Sequence, residues 1–215
     1  ATGEIYAQGV IWQSINGGST WDSLVVSQWG MLNLVHQDGQ LWANDAIIRI
    51  YQQEEQPSNF SERYVLGWNT VWNHLSLNPS SKQGIIVGGN NNFSNGKIWL
   101  LDSFGYVVKE HELIHEMQGV DWVDEQTIYA VGYGLVTRST DAGQTFVPFG
   151  KLTGDFFKSV HFPSPDVGYI VGEHGSMLKT DDAGETWQKL LRPRTLFNNN
   201  KRLQKVFFED EQNGY

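Results

Sequence analysis

The sequence predicts an all-β protein, a five-bladed β-propeller of four-stranded antiparallel blades, on three observations. A short pattern recurs three times, hydrophobic strands recur at a matching spacing, and the two ends of the chain fall at the same position of the repeat. The pattern is [S/T]-x-[D/N]-x-G-x-T-[W/F]. It is met at Ser14, Asn16, Gly18, Thr20 and Trp21, at Ser139, Asp141, Gly143, Thr145 and Phe146, and at Thr180, Asp182, Gly184, Thr186 and Trp187. The second and third copies start 41 residues apart and the first and second 125 apart, close to three periods, so two degenerate units are expected between them.

The first blade is expected from both termini. Gly9, Gly134 and Gly175 each stand five residues before their copy of the pattern, which sets Gly3 opposite Tyr169; Tyr215 is also equivalent to Tyr169. Residues 205–208 then form the first strand of that blade and residues 4–7 its second, a pairing that closes the ring and leaves no open sheet edge. A degenerate unit follows, with strands around 32–35, 40–42, 47–51 and 63–66, and another with strands around 72–77, 85–88, 98–101 and 106–108. The two regular units share a landmark: Val120-Asp121-Trp122 leads to Tyr129 and Val160-His161-Phe162 to Tyr169, nine residues on, just as Val206-Phe207-Phe208 leads to Tyr215. On this count one domain spans residues 1–215, with about 43 residues per blade. The rival reading is a fragment of a six- to eight-bladed propeller, because Tyr215 falls where a following Ile-Val-Gly is expected.

Composition agrees with a single all-β domain rich in turns, with Gly 23 and 13% aromatic residues. No apolar run approaches the roughly 18 residues of a membrane span. With Cys 0, disulfides and thiolate metal sites are excluded. A net charge of −9 argues against nucleic acid held through a global basic field. The start Ala1-Thr2-Gly3 fits the product of a signal peptidase, so a secreted or periplasmic bacterial protein is expected.

In each turn the Asp or Asn is expected to accept backbone N–H groups two residues on, and the Gly to supply a positive φ. The aromatic plugs the gap between neighbouring sheets, so the role of these residues is structural. The three turns resemble the Asp-box, or bacterial neuraminidase repeat. The run from Gly168 through Glu173, His174 and Gly175 into the third turn resembles propellers related to photosystem II assembly factors. The resemblance covers residues 119–191 and the first turn, and it implies a propeller more than a function. The wider group includes sialidases, sorting receptors and assembly chaperones. A sialidase-like site needs a cluster of arginines, and of Arg49, Arg63, Arg138, Arg192, Arg194 and Arg202 half crowd into one linker.

His111-Glu112-Leu113-Ile114-His115 reads H-E-x-x-H, which on a helix offers two imidazoles and a general base to zinc. Repeat register instead sets it in the link between the fourth strand of one blade and the first of the next, so no metal and no cofactor is expected.

Links from strand four to strand one share one face of a propeller with links from strand two to strand three, and function concentrates in such loops. The first group offers Trp29, Trp68, Trp72, Arg192, Arg194, Lys201 and Arg202. The second offers Asn44, Asp45, Asn90 to residue 93, Tyr133, Glu173 and His174. Two functions fit. The first is a non-enzymatic scaffold that docks a protein or peptide, with Arg192, Arg194 and Arg202 as a basic patch on an acidic body. The alternative is a carbohydrate-binding or glycoside-hydrolysing propeller, with tryptophans stacked on a glycan and a carboxylate pair such as Asp45 and Glu173.

Overall fold

The computed structural model describes residues 8–37, 40–45, 49–53, 60–65, 70–90, 94–149, 152, 156–190 and 202–215. The second blade holds β3 (Met31–Gln37), β4 (Gln40–Asp45), β5 (Arg49–Gln53) and β6 (Phe60–Val65); it is preceded by β1 (Gly9–Gln13) and β2 (Asp22–Ser27), which pair with each other. The third blade holds β7 (Thr70–Leu77), β8 (Gly84–Asn90), β9 (Gly96–Leu101) and β10 (Val107–Leu113). The fourth holds β11 (Met117–Trp122), β12 (Ile128–Gly132), β13 (Val136–Ser139) and β14 (Val147–Pro148). The fifth holds β15 (Phe157–His161), β16 (Gly168–Gly172), β17 (Met177–Thr180) and β18 (Gln188–Lys189). Every pairing is antiparallel between sequence neighbours, and the fold is a five-bladed β-propeller.

The C-terminal segment starts the remaining blade in the register that the sequence implies. Phe207 and Tyr215 exchange backbone hydrogen bonds of 3.1 and 2.8 Å, as His161 pairs with Tyr169 in the blade before. Val206 N–H also donates to Ser159 Oγ at 3.3 Å, which ties this segment to β15. Residues 4–7, its expected partner strand, lie outside the described residues.

The core lies between blades because strand two of each of the three later blades is buried on both faces of its sheet. Ile85, Val87, Ile98 and Leu100 of the third blade meet Met117, Val120, Trp122, Ile128 and Ala130 of the fourth. Trp42 and Ile50 of the second meet Trp72, Leu75, Ile86 and Trp99 of the third, where Trp72 stacks on Trp99 with centroids 5.4 Å apart. Each such side chain withdrawn from water contributes roughly 1.5–3 kcal/mol. Repeat-equivalent rings close the later interfaces: Tyr129 stacks on Phe162 at 4.1 Å and Tyr169 on Phe208 at 3.6 Å.

The three turns between strands three and four are built alike. Ser139 Oγ donates to Asp141 Oδ1 at 2.7 Å and accepts Gly143 N–H at 2.8 Å, while Asp141 accepts Thr145 N–H at 2.8 Å and the Thr145 hydroxyl at 2.6 Å. Thr180, Asp182, Gly184 and Thr186 repeat these distances within 0.1 Å. In the first turn Asn16 Oδ1 accepts Thr20 N–H at 2.9 Å, and its amide donates to Thr20 Oγ1 at 2.8 Å. The acidic side chain therefore reaches the N–H four residues on, not two as expected, because the glycine at φ 81 (Gly143) or 79 (Gly184) folds the chain back. The third blade keeps a variant that the pattern missed: Asp102 accepts N–H from Phe104 and Tyr106, both at 2.9 Å, with Gly105 at φ 84 one place later than in the other turns.

Strand one of blades two to five carries a bulge at the opposite face. The extra residues are Leu32, Asn73, Gln118 and Lys158. In the three later blades the cause is a glycine at or near the end of strand two. A Cβ on Gly88, Gly132 or Gly172 would stand 1.7, 2.0 or 2.6 Å from the carbonyl oxygen of Val71, Glu116 or Phe156, the residue just before strand one turns. With no Cβ there, the two backbones close up and the next residue is expelled from the ladder. Asn73, Gln118 and Lys158 consequently line the central channel.

Candidate binding face and channel mouth

The face formed by strand two to three loops and strand four to one links brings together Tyr133, Phe156, Lys158, Glu173 and Arg202. Tyr133 follows Gly132 at the end of β12 and is 60% exposed. It forms a β-bridge with Phe156, and their rings are 5.6 Å apart. The His115 ring lies 5.7 Å from Tyr133, and Ile114 beside it is 76% exposed. An apolar patch thus crosses from the link before β11 to the link before β15.

Charge borders this patch. Glu173 Oε1 stands 3.8 Å from Lys158 Nζ and 3.7 Å from Arg202 Nε. Lys158 Nζ sits 3.9 Å over the Phe156 ring and donates to Gln118 Oε1 at 3.1 Å. Burial lowers the Lys158 pKa, against the pull of Glu173 and Glu116. Glu116 is 1% exposed; its Oε1 accepts Asn73 Nδ2 at 2.6 Å and Gln118 Nε2 at 2.7 Å. Its other oxygen has no partner among the described residues, and burial raises its pKa above the usual carboxylate range.

Several expected site residues have other roles. Trp72 is 1% exposed, a core residue of the second and third blades and not a binding residue, because its indole faces Trp99 across the sheet packing. Asn44 and Asp45 end β4 fully buried; Asp45 accepts Ser27 Oγ at 2.7 Å, Tyr51 Oη at 3.1 Å and Arg49 N–H at 3.1 Å. A fully buried carboxylate with three donors is a structural anchor and not an acid/base partner for Glu173. Trp29 is half-buried in the link before β3, its backbone N–H donating to Ser27 Oγ at 3.0 Å. His174 lies on this face, exposed, at φ 56 within the turn Glu173–Gly175. Trp68, Arg192, Arg194, Lys201 and residues 91–93 lie outside the described residues.

His111 is not in a link but in β10, where its Nε2 lies 2.8 Å from Gly143 O and its ring packs edge-on to Phe146. His115 lies beyond the strand, and no helix joins the two. No group of three metal-binding side chains occurs among the described residues. Arg49 pairs with Glu62 of its own blade at 3.3 Å, and Arg138 lies 3.5 Å over Phe149 of its own blade and 3.4 Å from Glu185 of the next, so these arginines serve the frame. Ile114 and Glu116 escaped the sequence reading; the Val-Gly pair in strand two of the three later blades was the available signal for the bulges beside them.

No protein-family model matches the chain, and neither does any curated protein. Solved structures do. The structure described as YCF48 bound to D1 peptide aligns over 95% of this chain and 67% of its own, with TM-score 0.70 and 15% identity. YCF48 from Cyanidioschyzon merolae aligns over 96% and 73%, with TM-score 0.70 and 16% identity. The GH74 enzyme of Niastella koreensis aligns over 83% of this chain but 31% of its own, with TM-score 0.63 and 15% identity. At these identities the likeness identifies the fold, a β-propeller, and no more.

Proposed function

We propose that the protein is a non-enzymatic scaffold that docks a protein or peptide segment on the face around Tyr133. The observation that carries the reading is the exposed patch of Ile114 and Tyr133 beside the Lys158–Glu173–Arg202 ion pairs. Tyr133 offers a large, low-entropy contact, and Arg202 offers bidentate contact to a carboxylate. The favoured partner therefore presents an apolar or aromatic side chain next to an acidic one. One YCF48 structure of similar fold is described as bound to a peptide, which lends the reading support at the level of architecture.

Finer parts of the proposal concern classification. The turns at 14–21, 139–146 and 180–187 are Asp-boxes of the bacterial neuraminidase type, residues 1–215 form one domain, and the setting is secreted or periplasmic in a bacterium. With Cys 0 the fold depends on no disulfide, which suits an oxidising compartment as well as any other. The test is a paired screen of the protein against a peptide-display library and a glycan array. Enrichment of peptides with adjacent acidic and aromatic residues supports the reading; binding to a sugar class with no peptide enrichment overturns it in favour of a carbohydrate-binding propeller.

A further inference from the structure

The central channel holds two groups that face each other as donors. His74 Nδ1 accepts the Val120 backbone N–H at 3.1 Å, so the neutral ring carries its proton on Nε2. That Nε2 lies 2.6 Å from Lys205 Nζ. With Lys205 charged, both atoms are donors, and an acceptor that reaches them from the cavity satisfies both. Lys158 adds a second ammonium to the same cavity of about 130 Å³, whose other walls include Asn73, Gln118, Ser159 and Gln204.

We infer that the channel mouth is a binding site for a small oxyanion, a carboxylate or phosphate group held by His74 Nε2–H, Lys205 and Lys158. The carboxylates nearby do not fill the role. Glu173 is shared between Lys158 and Arg202, and Glu116 Oε1 is taken by Asn73 and Gln118, while Glu116 Oε2 is buried and hydrogen-bonds no donor among the described residues. The cavity walls supply two ammonium groups inside a chain of net charge −9. Burial lowers the pKa of both Lys158 and Lys205, the direction expected where an ammonium is withdrawn from water. The site shares Lys158 with the ion pairs beside the Tyr133 patch, while His74 and Lys205 take no part in them, so anion binding is tested without a peptide.

The experiment is thermal unfolding of the full chain in inorganic phosphate, and separately in sodium acetate, against sodium chloride of equal ionic strength. A ligand that binds only the folded state raises the midpoint with its concentration. We expect an added rise with phosphate and a smaller one with acetate, and an apparent affinity at least tenfold weaker in Lys205→Met and in Lys158→Met. The exposed Lys82→Met should respond as the unaltered protein does. If Lys205→Met fails to fold, Lys158→Met decides. A rise with acetate but not phosphate narrows the site to carboxylates and supports it. Equal midpoints in phosphate, acetate and chloride, or responses unchanged in the methionine variants, overturn it.

Discussion

The two faces of the ring differ in how faithfully they repeat. On the turn face, the copies at Asp141 and Asp182 share hydrogen bonds that agree within 0.1 Å, and Asn16 reproduces them with its amide reversed. On the opposite face the equivalent positions diverge: the bulge residue is Leu32, Asn73, Gln118 or Lys158, and the residue after the strand-two glycine is Tyr133 in one blade and Glu173 in the next. A repeat is kept where every blade needs the same turn, and it is lost where one blade makes a contact that its neighbours do not. Function is therefore sought on the face that has lost its symmetry.

The largest effect is expected where the frame under that face is broken. A methyl on Gly132 would meet Glu116 O at 2.0 Å, and backbone cannot swing aside as a flexible side chain does. Gly132→Ala should cost about 3 kcal/mol or more in urea unfolding. A cost below about 1 kcal/mol would mean that the bulge does not need the glycine.

Two channel-side histidines sharpen the comparison through pH. Burial, then the nearby Lys205, lowers the His74 pKa to about 3. Its folded pKa is below the unfolded value of about 6.5, so the unfolded chain takes up the proton first and stability falls as pH drops from about 6.5 towards 3. The slope from this residue approaches about 1.4 kcal/mol per pH unit. His161 behaves oppositely: burial pulls its pKa down, but the Asp121 carboxylate at 3.3 Å and the Phe208 carbonyl outweigh that and raise it. Its contribution is complete below about 6.5 and is lost as pH rises through the folded value. Stability measured against pH should therefore lose part of its acid slope in His74→Gln, and part of its slope above about 6.5 in His161→Gln. Unaltered slopes in both windows would contradict these environments.

The smallest effect is expected on the symmetric face. Asp141→Asn recreates the chemistry of Asn16, whose turn closes with the same backbone contact, and should move the melting midpoint by no more than about 2 °C. A fall much larger than that would show that the turns are not interchangeable.

Much of the frame was legible in the sequence because it depends on local chemistry. The Asp and Gly of each turn act within five residues, and the nine-residue landmark reports a strand, a turn and a strand. The opposite face was legible only in part. The loop positions of Tyr133, Glu173 and His174 were legible because a loop position follows from strand order alone. Trp72 and Asp45 were misplaced because their burial comes from neighbours far along the chain, Trp99 in one case and Ser27 in the other. The cavity around His74 escaped notice for the same reason: Lys205 lies 131 residues away, and only the curvature of the ring brings the two together.

The central claim, that the asymmetric face binds and the symmetric face supports, is tested most directly by the affinity of one library-selected peptide for two variants. Tyr133→Ala removes the exposed ring beside Phe156, and Trp21→Ala removes an equally exposed ring, 57% open, on the turn face. Calorimetric titration should give a dissociation constant at least tenfold weaker for Tyr133→Ala, in line with the loss of an aromatic anchor of roughly 2 kcal/mol, and unchanged for Trp21→Ala. The reverse order, with binding lost in Trp21→Ala and kept in Tyr133→Ala, would contradict the account.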